Sequence, residues 1–125
     1  MLIELKNKDM LIIDDFKLKC CVGKNGIKIK KIEGDKSTPS GIFKLGDLYY
    51  RSDRVQKPHT NLKCKKIKKN MGWCNDQFSK FYNKEIIIKK KLKYEKLFRK
   101  DYYYNYLILI KYNYPKTISG KGSAI

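Results

Sequence analysis

The sequence has a single histidine and only four cysteines, with no C-x-x-C pair among them. A tetrahedral zinc site draws on Cys and His at short spacings, so Cys20, Cys21, Cys64, Cys74 and His59 would have to build one in an unusual way. Buried free thiols are the plainer reading. A Cys64–Cys74 disulfide is the alternative, open only to an oxidising compartment. No apolar run approaches the roughly twenty residues that a spanning helix requires, so no membrane span is expected. The opening MLIELKNKDMLIIDD carries Glu4 and Asp9 where a signal peptide wants a basic start and an unbroken apolar core. No export signal is visible. Acidic residues are scarce as well: twelve Asp and Glu stand against thirty Lys and Arg, a formal net charge of +18. That excess attracts nucleic acid, a membrane surface or an acidic wall polymer without choosing between them. Most of it is Lys, in company with many Ile, Asn and Tyr, the mixture that A/T-rich codons produce whatever the function.

What is present suffices for a fold. A length of 125 residues with 42% hydrophobic and 13% aromatic content, ten Tyr included, is too rich in core formers for a disordered polycation. One domain, spanning 1–125, is expected. Leu2, Ile3 and Leu5, then Met10 to Ile13, form two short apolar segments split by Asn7-Lys8-Asp9, which predicts an opening hairpin. Phe16, Leu18, Cys20 and Val22 alternate with Lys17, Lys19 and Cys21, predicting a strand with one wet face. After Gly23-Lys24-Asn25-Gly26, Ile27 and Ile29 alternate with Lys28 and Lys30, which reads as a second antiparallel hairpin. Lys on the outer faces blunts sheet edges.

The chain is organised around Lys31 to Tyr50. Gly34, Asp35, Ser37, Thr38, Pro39, Ser40 and Gly41 crowd turn formers together, and Ile42, Phe43, Leu45, Leu48 and Tyr49 follow as a buried strand. Pro39 fixes its own φ and drives Thr38 towards extended backbone, while Gly41 allows angles closed to other residues. Two readings fit: an ordinary β-turn, or a rigid platform beside a substrate cleft. From Arg51 to Lys84 periodicity breaks up, and a connection of that length is more often functional than idle. Trp73, the only tryptophan, is either a plug packed on the core with Asn75 and Asp76 capping a turn, or a ligand-facing wall. Ile86 to Ile88 predicts a short strand, and Leu92, Glu95, Lys96, Leu97 and Phe98 allow one short helix. Tyr104, Tyr106, Ile108, Ile110 and Tyr112 alternate with Asn105, Leu107, Leu109 and Lys111. Both faces are apolar, as in a central strand, up to a stop at Asn113-Tyr114-Pro115.

Six segments in order then carry a resemblance: Gly34 to Phe43 (GDKSTPSGIF), Leu48 to Val55 (LYYRSDRV), Gly72 to Asp76 (GWCND), Tyr82-Asn83, Tyr104 to Asn113 (YNYLILIKYN) and Ser119 to Ile125 (SGKGSAI). Together they resemble the L,D-transpeptidase catalytic domain, the YkuD-type family, in its short stand-alone branch. The resemblance implies a mainly β fold, an antiparallel β-sandwich with one short helix. It also implies an envelope or periplasmic setting and peptidoglycan stem peptides as partners. In the family a Cys thiolate attacks the third residue of a tetrapeptide stem, D-Ala leaves, and an amine or water takes the acyl group. The chemistry is nucleophilic, with a His base and backbone amides at the oxyanion. Family members place the His soon after the G-S-A-I segment and the Cys in a later Gly-Cys turn. His59 matches neither position, and none of Cys20, Cys21, Cys64 and Cys74 lies in such a turn. No catalytic residue is therefore carried over, and no metal ligand or cofactor is assigned. The expectation is a C-terminally truncated, inactive domain whose last strands are missing. Thr38, Pro39, Gly41 and Phe43 would shape its sheet near the cleft, with Trp73 and Asp76 bracing the long connection. A basic module binding an anionic polymer or nucleic acid through Tyr and Trp stacking is the alternative function.

Overall fold

The computed structural model describes residues 1–29 and 31–123. Lys30, expected in the alternation after Gly26, and Ala124 and Ile125, which end the last motif, lie outside the described residues. Eleven strands and no helix are found among those described, so the fold is mainly β.

The opening hairpin forms as its pattern requires, β1 (Ile3–Asn7) antiparallel to β2 (Met10–Ile13), and β3 (Phe16–Lys19) adds to β2. Register places Ile3, Ile13 and Phe16 in one row and Leu5, Leu11 and Leu18 in the next, so one face is entirely apolar. The expected single wet face of β3 is not found. All four of its residues are exposed, with Phe16 at 71% and Leu18 at 47%, because among the described residues no other strand packs against this sheet. The second hairpin is also replaced. β4 (Ile27–Lys28) pairs in parallel with β5 (Thr38–Pro39), since Thr38 N donates to Gly26 O and Ser40 N to Lys28 O, each at 2.8 Å.

The core draws its residues from two further three-stranded sheets. β6 (Leu45–Tyr50) is the centre of one, antiparallel to β11 (Tyr106–Ile110) and parallel to β7 (Cys64–Lys66). The other is built on β8 (Met71–Cys74), antiparallel to β9 (Glu85–Ile87) and β10 (Tyr94–Lys96). Tyr49, Leu107 and Leu109 from the first meet Met71 and Trp73 from the second, with Ile67 and Leu97 completing the cluster. Fully burying a side chain of the size of Leu97 contributes about 1.5–3 kcal/mol.

Three expectations change here. β11 is an edge strand, and the central place falls to β6, whose Leu48, Tyr49 and Tyr50 are all buried. Ile42 is 96% exposed, so the buried run begins after it. The helix expected within Leu92–Phe98 is absent and β10 stands in its place. Glu95 and Leu97 turn inward while Tyr94 and Lys96 face out, a period of two, and the backbone bonds across to β8 through Leu97 N to Met71 O at 3.1 Å. The long connection is partly ordered, since it contributes both β7 and β8.

Candidate functional site

The turn at the centre of the sequence is built on one carboxylate. Asp35 Oδ1 accepts from Ser37 Oγ at 2.6 Å, Ser37 N at 3.0 Å and Lys31 Nζ at 3.2 Å, while Oδ2 accepts from Ile32 N at 2.9 Å. Desolvation opposes the anion, but the bonds from Ser37, Ile32 and Lys31 outweigh it and hold this carboxyl well below the usual range. Ser37 is buried, so this is a closed polar knot. Its flank is sealed where Gly23 N donates to Thr38 Oγ1 at 2.8 Å. Gly41 follows at φ 144°, the backbone freedom its position calls for, and its Phe43 neighbour stacks edge-on against Tyr112 at 5.6 Å.

Against this turn lies the segment after β11. Glu33 N donates to Gly120 O at 2.8 Å, Tyr82 donates to the Glu33 carboxylate, and Gly122 N donates back to the Tyr82 hydroxyl at 2.8 Å. Burial and the facing Glu33 carboxylate push the Tyr82 phenol far up, so it stays protonated as the donor. Gly122, at φ 87°, sits where a side chain would be strained and would meet the Lys31 stem. Asn113 closes the loop on itself: Nδ2 donates to Ile118 O at 3.0 Å and Gly122 O at 2.9 Å, and Oδ1 accepts from Ile118 N at 2.8 Å. Tyr112 adds its hydroxyl to Lys121 O at 2.6 Å.

Asn83 joins this assembly to the core. It is fully buried, adopts a positive φ of 54°, accepts from Trp73 Nε1 at 2.9 Å and donates to Asn113 O at 2.6 Å. Trp73 is thus the plug of the two readings, 1% exposed. Asp76 caps its turn by accepting from Phe78 N at 3.1 Å. Sequence reasoning missed the roles of Glu33, Tyr82, Asn83 and Asn113. The available signal was the pair of Asn residues following Tyr, since Asn tolerates left-handed backbone while satisfying buried carbonyls.

The thiols and the imidazole are not brought together. All four cysteines are free, and only Cys74 is buried; Cys21 is exposed. The burial expected of all four is therefore found only at Cys74, since Cys20 and Cys21 follow the end of β3 and Cys64 is half-buried. The Cys64–Cys74 alternative is not formed either. Desolvation, with Cys21 and Asp9 nearby, pushes the Cys20 thiol up, which disfavours its thiolate. Cys64 Sγ donates to Leu62 O at 3.5 Å, and His59 is exposed in the loop between β6 and β7. Among the described residues no group of three or more His, Cys, Asp and Glu is placed to hold a metal ion, and no helix is long and apolar enough to cross a membrane.

Comparison with family models, with curated proteins and with solved structures gives no match. What the assembly can do is therefore read from its own chemistry. It holds carboxylates, phenols and amides in mutual hydrogen bonds, with no nucleophile and base in contact. Its chemical capacity is to fix backbone: it sets residues 118–123 beside the turn of residues 31–41.

Proposed function

We propose that this chain is an L,D-transpeptidase-like domain of peptidoglycan remodelling, a mostly antiparallel β-sandwich in which the two core sheets are the facing layers and β6–β7 is a parallel exception. One observation carries the reading. Gly34 to Phe43, Gly72 to Asp76, Tyr82-Asn83, Tyr112-Asn113 and Ser119 to Ser123 are scattered over ninety positions of the sequence, yet hydrogen bonds and one aromatic contact join them into a single assembly. The sixth segment, Leu48 to Val55, lies outside this assembly, with Arg51 and Arg54 bonded to the backbone of residues 99–101. In that reading the assembly aims the segment from Ser119 onward, which in the family leads to the His and then the Gly-Cys turn, along the edge of a stem-peptide cleft. The chain then acts as scaffold, and acyl transfer from the tetrapeptide needs a thiolate and a base in contact, which this assembly does not hold.

The test uses two proteins. The 125-residue chain should neither release D-Ala from a tetrapeptide stem nor form a covalent adduct with a carbapenem. A chain continued in its own coding frame through a His and a Gly-Cys turn should do both, with the adduct on that new Cys. Turnover with an adduct on Cys20, Cys21, Cys64 or Cys74 of the 125-residue chain would prove the reading wrong, as would a continued reading frame that encodes no such pair.

A further inference from the structure

The +18 charge is unevenly spread. Residues 1–22 hold four Lys against Glu4, Asp9, Asp14 and Asp15 and are neutral, whereas residues 54–75 hold seven Lys and Arg and no acid. The structure folds the densest part of that run, Lys63 to Lys69, into β7 and the turn leading to β8. There it borders an open groove of about 400 Å3 lined by Lys65, Lys66, Lys68, Asn70, Met71, Glu85 and Ile87. The lysines in it are not equivalent. Lys65 Nζ is tied to Asp47 at 3.1 Å and Glu85 at 3.2 Å and lies over the Tyr49 ring, whose hydroxyl also donates to Glu85, so its charge is more than balanced and it is fixed as wall. Lys66 and Lys68 are exposed and form no ion pair among the described residues.

We infer that this groove is a docking site for a linear phosphate polymer without bases, of the polyol-phosphate kind, with Lys66 and Lys68 as the phosphate contacts and Asn70 as a neutral donor beside them. Two unpaired ammonium groups beside a fixed wall suit a run of phosphates, which a Lys meets as a point charge. The absence of bases is argued from the lining, which has no aromatic side chain. Single-stranded nucleic acid draws much of its affinity from bases stacked on aromatic faces, and the groove gives none. The site stands apart from the assembly around Asp35 and Asn83, and does not depend on the acyl-transfer reading.

The experiment measures binding of the 125-residue chain to poly(glycerol phosphate), inorganic polyphosphate and oligo(dT) at several salt concentrations. K66E/K68E should weaken poly(glycerol phosphate) binding about tenfold or more, whereas K17E/K19E, the same charge change on the neutral meander, should weaken it far less. The milder K66Q/K68Q removes two contacts and should lower the slope of log affinity against log salt by about 1.4. Equal losses in the two Glu pairs would mean that only diffuse charge is at work, and an unchanged affinity in K66E/K68E would mean that these lysines merely protect a sheet edge. Either result overturns the proposal. Preference for oligo(dT) over poly(glycerol phosphate) overturns it in favour of nucleic acid.

Discussion

Replacing Asn83 by Ala tests the junction between core and assembly. The substitution removes the acceptor for Trp73 Nε1 and the donor to Asn113 O and Tyr112 O, at a site with no solvent access. Leaving the indole N–H buried without a partner costs about 1–3 kcal/mol, and orphaned carbonyls and the small void add to it. Ala must also hold a φ of 54°, which costs about 1 kcal/mol more than Asn in the left-handed region. The expected loss is about 3–5 kcal/mol, a large share of the ~5–15 kcal/mol that a domain has. With an unfolding entropy near 0.26 kcal/mol/K for a chain of this length, the midpoint should fall by about 15 °C. Thermal unfolding followed by circular dichroism gives the number, and two further proteins divide it. N83G loses the same side-chain bonds but relieves the backbone, so it should recover about 1 kcal/mol. In a W73F background, N83A should cost about 1–2 kcal/mol less, because no indole N–H is left to orphan. A cost below about 1 kcal/mol for N83A, or the same cost in both backgrounds, would refute the reasoning.

Other perturbations have equally definite outcomes. Trp73 fluorescence should be blue-shifted and poorly quenched by iodide, and ready quenching would contradict its burial. The carboxyl of Asp35 titrates lower folded than unfolded, so its stabilisation is complete above about pH 4 and drains away as pH falls through the folded value. D35N should therefore lower stability at pH 7 and flatten the acid limb of the stability–pH curve, and an unaltered limb would exclude Asp35 as its source. Arg51 is 3% exposed, forks onto Asp53 at 2.7 and 2.8 Å, donates to Arg99 O and covers the Phe98 ring at 3.5 Å. R51K keeps the charge but loses fork and stacking, and should cost about 2 kcal/mol by chemical denaturation. F16K/L18K on the apolar meander should raise solubility with little change in unfolding midpoint, since neither side chain is buried.

Short apolar segments split by a polar turn were legible, as was the middle of the long alternating run: β1 and β2 lie where the segments put them, and β11 covers Tyr106–Ile110 of the expected Tyr104–Tyr112. The pattern could not rank strands within a sheet. Apolar residues on both faces made β11 look central, but Ile108 and Ile110 are only half buried and its far edge has no partner. Leu92 to Phe98 was ambiguous for another reason. Its inward positions include Glu95, whose carboxylate accepts the Tyr104 hydroxyl, and a polar residue that belongs inside is invisible to a count of apolar spacings. The parallel contact of Ile27–Lys28 with Thr38–Pro39 is two residues long and set by bonds to the carbonyls of Gly26 and Lys28, so it leaves no period at all.

The assembly around Asp35 failed to show for a related reason, and the failure says something about how it works. Turn formers from Gly34 to Gly41 announced a rigid local structure, and Asp35 with Ser37 supplies it from within the turn. The partners that make the turn a junction, Tyr82, Asn83 and Asn113, come from 40 to 80 residues away and touch it or its neighbours through single polar atoms. Polar contacts of this kind are costly when half made, so a network spread over such distances persists only if every member is satisfied together. Residues 118–123 are held by that network and by no strand pairing. Their position therefore depends on Tyr82 and Asn113 jointly. Y82F, which deletes one phenolic oxygen while filling nearly the same volume, should loosen this segment while the core sheets keep their stability. Hydrogen exchange would read this as faster exchange at Gly122, whose N–H loses its acceptor, and unchanged protection at Leu107 and Leu109. Equal acceleration at both places would mean that segment and core unfold as one unit, and that the junction is part of the core and not a separate clamp upon it.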